Sequence, residues 1–320
     1  MNVIETIQHG NRRVLIFAGA LALAAGSSLA QKNAGEPPIH AASIGQGITL
    51  HYVDEGTGVP VIFVHGSLSD GGYWADQIGP FAEHYRAIAY SRRYNYPNTN
   101  PPRPGYSAVA DSDDLSALIR TLHLGKAVVI GHSYGALAAL FLAARHPHQV
   151  RALVLAEPPA VPLLVDLSGD ERERGKALFE DIQQRMVRPM QQAFGKGDRE
   201  DGIRIFMAYV FNDPHAWDKM PPSDRDNTLR DAHEWDVMMT AGTLFPAITP
   251  QVVQRISSPV LILLGAKTYP FLELIGRDLA TLLPKSRTIV FPDAGHQMWL
   301  QEPEECRNDV EKFLADFRIR

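Results

Sequence analysis

A single cysteine, Cys306, stands in a chain of 320 residues. No internal disulfide can form, and no second thiol is available for zinc or redox chemistry. Lysine and arginine never cluster into a run, and the formal charge is −5. Nothing there would neutralise a row of phosphates, which argues against a nucleic-acid partner. The twelve histidines are scattered, with no pair at His-x-x-x-His spacing, so a catalytic metal is not expected. Phosphate-cradling glycine loops are missing as well: there is neither Gly-x-x-x-x-Gly-Lys nor a strand-linked Gly-x-Gly-x-x-Gly. No nucleotide or other cofactor is therefore expected. No apolar stretch reaches the roughly 20 residues that a spanning helix needs. What remains is 45% hydrophobic and 21% charged, which excludes wholesale disorder.

The first thirty residues have a composition of their own. Arg12 and Arg13 precede an apolar run from Val14 to Ala25, and small residues follow, with Ser28 and Ala30 at the −3 and −1 positions of a cleavage site. A charged n-region, a short h-region and small residues at the cut predict a signal peptide over 1–30. The expected destination is a bacterial periplasm or the medium, without stable membrane insertion once the signal is removed.

From about residue 45, strands and helices alternate. Residues 48–54 alternate with period 2, as an exposed edge strand does. Short runs at 61–64, 87–89, 127–130, 152–155, 260–264 and 288–291 are apolar on both faces, the mark of buried parallel strands. Helical patterns fill 107–123, 134–146, 271–283 and 303–317. The expected fold is therefore α/β: a mostly parallel sheet, eight-stranded in type, with helices on both faces. Between about 158 and 250 the rhythm breaks. Amphipathic stretches at 171–194, 199–211 and 224–239 are separated by Pro214, Pro221 and Pro222 and predict a helical cap over the carboxyl edge of the sheet. The expected division is signal 1–30, core 31–157, cap 158–250 and core 251–320.

Gly131-His132-Ser133-Tyr134-Gly135 fits Gly-x-Ser-x-Gly, directly after a buried strand and at the start of an alanine-rich helix. A strand-to-helix turn this sharp needs glycine on either side of the serine and lifts its hydroxyl above the sheet. Ser133 is the candidate nucleophile. A serine hydroxyl is weak until a base takes its proton. His296, in Phe291-Pro292-Asp293-Ala294-Gly295-His296 after the last strand, is the candidate base. His132 is expected to pack against the sheet.

Together, His65-Gly66, Gly131 to Gly135 and Asp293 to His296 resemble the α/β-hydrolase superfamily in order and setting, over roughly residues 45–318. The resemblance implies a capped serine hydrolase of esterase or lactonase type. It implies two backbone oxyanion donors, Tyr134 after the nucleophile and Ser67 in the loop after the third strand. The family most often carries an aspartate after its seventh strand, but the corresponding position here is Thr268, which has no charge to offer. Some branches, certain haloalkane dehalogenases and zearalenone-type lactonases among them, place the acid after the sixth strand, about two dozen residues beyond the nucleophile. Glu157 lies 24 residues beyond Ser133 and is the expected acid, with Asp293 and Glu273 as competitors.

Arg92 and Arg93 follow the fourth strand and either tie that loop to the sheet edge or meet an anionic substrate group. Tyr94 and Tyr96 are expected at the pocket rim. Met298 and Trp299, with an apolar cap, point to a hydrophobic acyl or ring group on the substrate. The expected activity is hydrolysis of a small-molecule carboxylic ester or lactone through an acyl-enzyme. Diketone carbon–carbon hydrolysis and cofactor-free haloperoxidase or perhydrolase activity are alternatives on the same triad. A ligand-binding relative without turnover is the alternative from another class. The oligomeric state is not legible.

Overall fold

The structure, a computed structural model, describes residues 37–319. The expected signal peptide lies outside the described residues. Eight strands form one sheet: β1 (His40–Gly45), β2 (Ile48–Gly56), β3 (Pro60–Val64), β4 (Arg86–Tyr90), β5 (Ala127–His132), β6 (Val150–Ala156), β7 (Val260–Gly265) and β8 (Ser286–Phe291). Their order across the sheet is β1-β2-β4-β3-β5-β6-β7-β8. Only β2 runs against its neighbours; every pairing from β4 to β8 is parallel.

The central strands form where both faces are apolar. β5 is buried along its whole length, as is β7, because helices cover both sides. Full burial of a valine or leucine side chain contributes about 1.5–3 kcal/mol, so these runs dominate the sheet's stability. One layer of the core joins Val128 and Ile130 of β5 to Trp74, Trp299 and the C-terminal helix Pro303–Asp316. Cys306 lies inside this layer as a free, buried thiol.

One expectation fails at the edge. β2 is not an edge strand, because β1 pairs with it from His40↔Tyr52 to Gly45↔Ile48. β1 buries only Ala42, so its sequence carries almost no hydrophobic signal, and backbone hydrogen bonds to β2 define it instead.

Between β6 and β7 the described chain makes helices and no strand, principally Arg172–Ile182, Arg188–Gly195, Arg199–Val210, Pro222–Asp231 and His233–Ala241. Pro222 opens the fourth of these at its first turn, where a missing N–H costs nothing. The stretch 224–239 is two helices with a break at Ala232 rather than one. Met186, Trp217, Trp235 and Met238 are buried, and Phe206 packs edge-on to Trp235 at 4.6 Å, so these residues form the interior of the helical region. Among the described residues no helix is long and apolar enough to cross a membrane, and no group of three or more potential ligands could hold a metal ion.

Candidate active site

Ser133 joins β5 to the helix Tyr134–Arg145 at φ 53°, ψ −123°. A non-glycine residue rarely holds this conformation, and the neighbouring elements over-determine it. Its N–H donates to Ala156 O at 2.8 Å, continuing the β5–β6 ladder by one residue. A Cβ on Gly131 would lie 2.5 Å from Ala136 Cα, and one on Gly135 would lie 2.2 Å from Val64 O. Both contacts are below any real Cβ distance, so the helix meets the sheet only through glycine.

Glu157 follows β6 at φ 50° and is fully buried. Three donors surround its carboxylate. Gly265 N–H reaches Oε1 at 2.8 Å, while the Thr268 hydroxyl and His296 Nδ1–H each reach Oε2 at 2.6 Å. The Thr268 position is thus a donor to the acid that stands one strand away. With Nδ1 donating to a carboxylate, Nε2 is the nitrogen left to accept a proton. The His296 side chain keeps 16% of its surface exposed.

His132 buttresses the same ring. Its Nε2–H donates to His296 O at 2.8 Å, its ring centre lies 4.7 Å from that of His296, and Tyr73 stacks on it at 5.2 Å. Burial, together with the neighbouring His296, pushes His132 down to about 3, so it is a neutral spacer. The Tyr73 hydroxyl donates to Gln297 Oε1, tying the loop down once more. The Ser133 hydroxyl itself makes no hydrogen bond among the described residues.

The loop after β3 passes directly over the serine: a Cβ on Gly66 would lie 3.1 Å from Ser133 Cβ. The N–H groups of Ser67 and Tyr134 have no acceptor among the described residues, and that of Tyr134 is one of the orphan donors at a helix start.

Arg92 organises the wall behind this loop. It is fully buried and binds Asp111 at 2.8 Å, Glu234 through a short ion pair, His65 O at 3.2 Å and Gly66 O at 3.0 Å. His65 donates from Nδ1 to Gly66 O at 2.8 Å and accepts the Arg92 N–H on Nε2 at 2.9 Å. Burial holds it neutral, well below the usual histidine range. Burial pushes Glu234 up to about 7, against the pull of Arg92. Arg93 pairs with Asp114 at 2.6 Å. Both arginines are therefore consumed by structure, and neither is open to a substrate anion.

Other expected residues lie elsewhere. Asp293 is 84% exposed and pairs with Lys267 at 3.1 Å, and Glu273 pairs with Arg277 at 2.7 Å, so neither touches His296. Tyr94 is buried edge-on against Tyr106 rather than at a rim, because its hydroxyl accepts the Arg103 N–H. Tyr96 is half-exposed beneath the Arg230 guanidinium at 4.2 Å. Met298 and Trp299 pack into the core against Trp74, not into the cleft. Sequence reasoning missed Glu234 altogether, and missed that Thr268 donates to the acid and His132 to the His296 carbonyl; each contributes through a partner more than a hundred residues away in the chain.

An eight-stranded sheet with a single reversed strand, a strained serine between β5 and its helix, and a histidine–carboxylate pair at the same edge define a class of hydrolytic enzyme. Residues 59–303 match the α/β-hydrolase fold family, and the chain belongs to it. The bifunctional esterase/perhydrolase DCH of Acinetobacter calcoaceticus is 26% identical over 280 residues, covering 84% of this chain and 96% of that enzyme. The 2-(acetamidomethylene)succinate hydrolase of Mesorhizobium japonicum is 32% identical over 137 residues, 42% of this chain and 49% of that enzyme, so this chain spans about half of its length. Among solved structures, the enol-lactonase from Burkholderia xenovorans LB400 superposes with a TM-score of 0.60 at 21% identity, covering 87% of this chain and all of that one. The protein is an enzyme of the α/β-hydrolase class.

Proposed function

We propose that the protein is a serine hydrolase that cleaves a carboxylic ester or lactone through an acyl-enzyme. Ser133 Oγ attacks the acyl carbon while His296 Nε2 takes its proton, and the carbonyl oxygen becomes an oxyanion held by the Ser67 and Tyr134 N–H groups. His296 then returns the proton to the departing alkoxide. Water repeats the sequence on the acyl-enzyme, giving the free acid and restoring the serine. Glu157 fixes the Nδ1–H tautomer and stabilises the charged ring. Positioned proton transfer of this kind contributes about 10²–10⁴-fold to rate.

The observation that carries this reading is the buried Glu157 carboxylate holding His296 Nδ1 at 2.6 Å, on the residue that follows Ala156, whose carbonyl accepts the N–H of the strained serine. Structural use of Arg92 and Arg93 favours a substrate without a negative group near that loop. The name of the Acinetobacter relative favours a second reading on the same residues, in which hydrogen peroxide replaces water as the acyl acceptor and a peracid leaves. The Arg12–Ala30 pattern supports export to the periplasm or medium.

A fluorophosphonate probe, followed by an aryl-ester and lactone screen with and without peroxide, tests the reading. Wild type should be labelled once and turn over at least one ester, and Ser133→Ala should do neither. A folded wild type that resists the probe and every substrate is a binder, not a hydrolase.

A further inference from the structure

The oxyanion loop is held by a carboxylate that belongs to neither its own strand nor the triad. Glu234 lies on the helix His233–Ala241, between β6 and β7, and is fully buried. Its Oε1 accepts the Leu68 N–H at 2.8 Å, and its Oε2 takes the Arg92 guanidinium. Arg92 in turn donates to Gly66 O at 3.0 Å. That carbonyl shares a planar trans peptide with the Ser67 N–H, so the two point in opposite directions. Fixing Gly66 O toward Arg92 and His65 Nδ1 therefore aims the Ser67 N–H away from both. Leu68 sits at φ 55°, the left-handed region that leucine disfavours. A loop in that conformation needs an external partner, and the Leu68 N–H finds Glu234.

Two further bonds reach the same loops from the end of the preceding helix, Pro222–Asp231. Arg230 donates to Asp70 at 2.5 Å, and Asp231 accepts the Tyr96 N–H at 2.8 Å. Residues 230–234 thus clasp the loop after β3 and the loop after β4 together. Asp111 holds the other side of Arg92 from the helix Ala108–Thr121 without touching the loop.

We propose that Glu234 is a positioning residue that sets the Ser67 oxyanion donor, so that acylation depends on how the helical segment 230–241 is seated. The inference rests on the serine-hydrolase reading above. Losing an oxyanion donor costs about 10²–10³-fold in turnover. Misaiming one costs less, so Glu234→Ala should lower kcat about 10–100-fold with KM within about threefold.

The test measures kcat and KM on an aryl ester, the fluorophosphonate labelling rate and the affinity of an arylboronic acid, which forms a tetrahedral adduct on the serine. All but KM should fall together in Glu234→Ala. Amide hydrogen exchange across residues 65–70 should accelerate in that variant while the β5–β7 core stays protected. Glu234→Gln keeps an oxygen for the Leu68 N–H and should recover part of the loss; it also serves if the alanine variant fails to fold. A folded variant with unchanged labelling and unchanged exchange in this loop overturns the proposal, as does a loss confined to KM. Absence of labelling in wild type defeats the reading of the whole site, whereas normal wild-type labelling with an unaffected Glu234→Ala defeats this inference alone.

Discussion

Replacing Glu157 by glutamine probes the histidine–carboxylate pair most directly, because every neighbour of that carboxylate is a donor. Gly265 N–H faces Oε1, and Thr268 and His296 Nδ1 face Oε2. An amide presents one oxygen and one NH2 group. With the NH2 toward Gly265, two donors meet in a site closed to water, at a cost of about 1–3 kcal/mol for the unpaired group. With the oxygen toward Gly265, the NH2 faces the imidazole. Nδ1 must then accept, and the Thr268 hydroxyl can rotate to accept as well. The second arrangement wins, and it moves the ring proton to Nε2, the atom that has to receive the serine proton. The charge that would offset the imidazolium is lost at the same time. In the serine-protease template the corresponding change lowers turnover about 10⁴-fold. Here kcat should fall about 10³–10⁴-fold, equivalent to about 4–5.5 kcal/mol at about 1.36 kcal/mol per decade, with KM little changed. Steady-state hydrolysis of an aryl ester reads this, with Asp293→Asn alongside. The exposed Asp293 should cost less than about threefold, since a surface ion pair contributes little. A Glu157→Gln enzyme within tenfold of wild type, or a larger loss from Asp293→Asn, would refute the assignment.

Two further outcomes follow from neighbours of the pair. Thr268→Val keeps the shape but removes a hydrogen bond to a buried charge, and should lower unfolding free energy by about 1.5–3 kcal/mol in urea, with Thr268→Ser restoring most of it; equal midpoints for Val and wild type would sink the argument. His132 is neutral in the fold down to about pH 3, whereas the unfolded chain protonates it near its usual 6.5. The unfolded state therefore binds the extra proton, and stability falls as pH drops from about 6.5 toward 3, by up to about 1.4 kcal/mol per pH unit. His132→Gln retains a donor for His296 O and should show a shallower acid slope by that amount; identical slopes between pH 6 and 4 would contradict the buried neutral ring.

Legibility divides along sequence distance. The runs that became β3 to β7 were readable because burial on both faces leaves a local apolar signature, and the serine turn was readable because its two glycines flank the serine within a five-residue motif, although the clash that excludes a side chain at Gly135 comes from Val64 on β3. β1 was not readable: it buries only Ala42, and its existence depends on the hydrogen bonds of β2. Glu157 and His296 were readable as candidates by position after their strands. Their contact depends on the β6–β7 register, Ala156↔Leu263, which no single sequence displays. Tyr94, Met298 and Trp299 were misplaced because an aromatic or a methionine beside a catalytic loop has the same local signature whether it lines the cleft or packs beneath it. Glu234 was invisible for a further reason. A glutamate on an amphipathic helix looks like a solvated side chain until Arg92, 142 residues away, is seen against it.

The exchange of acid and threonine between β6 and β7 has one physical logic. The strands are neighbours, about 4.8 Å apart, so a carboxylate leaving the end of β6 can reach the space that the family usually fills from β7. Glutamate has the extra methylene for that reach, and its carboxylate arrives on the Gly265 N–H and the Thr268 hydroxyl, both from the β7 end. Gly265 permits the approach of the histidine loop, since a Cβ there would lie 2.6 Å from both Ala294 O and Gly295 O. An aspartate at position 268 would then face Glu157 as a second buried negative charge, and one of the two would have to be protonated. A hydroxyl donates where that aspartate would repel. Threonine at 268 is therefore the complement of an acid at 157, and the two positions have to change together.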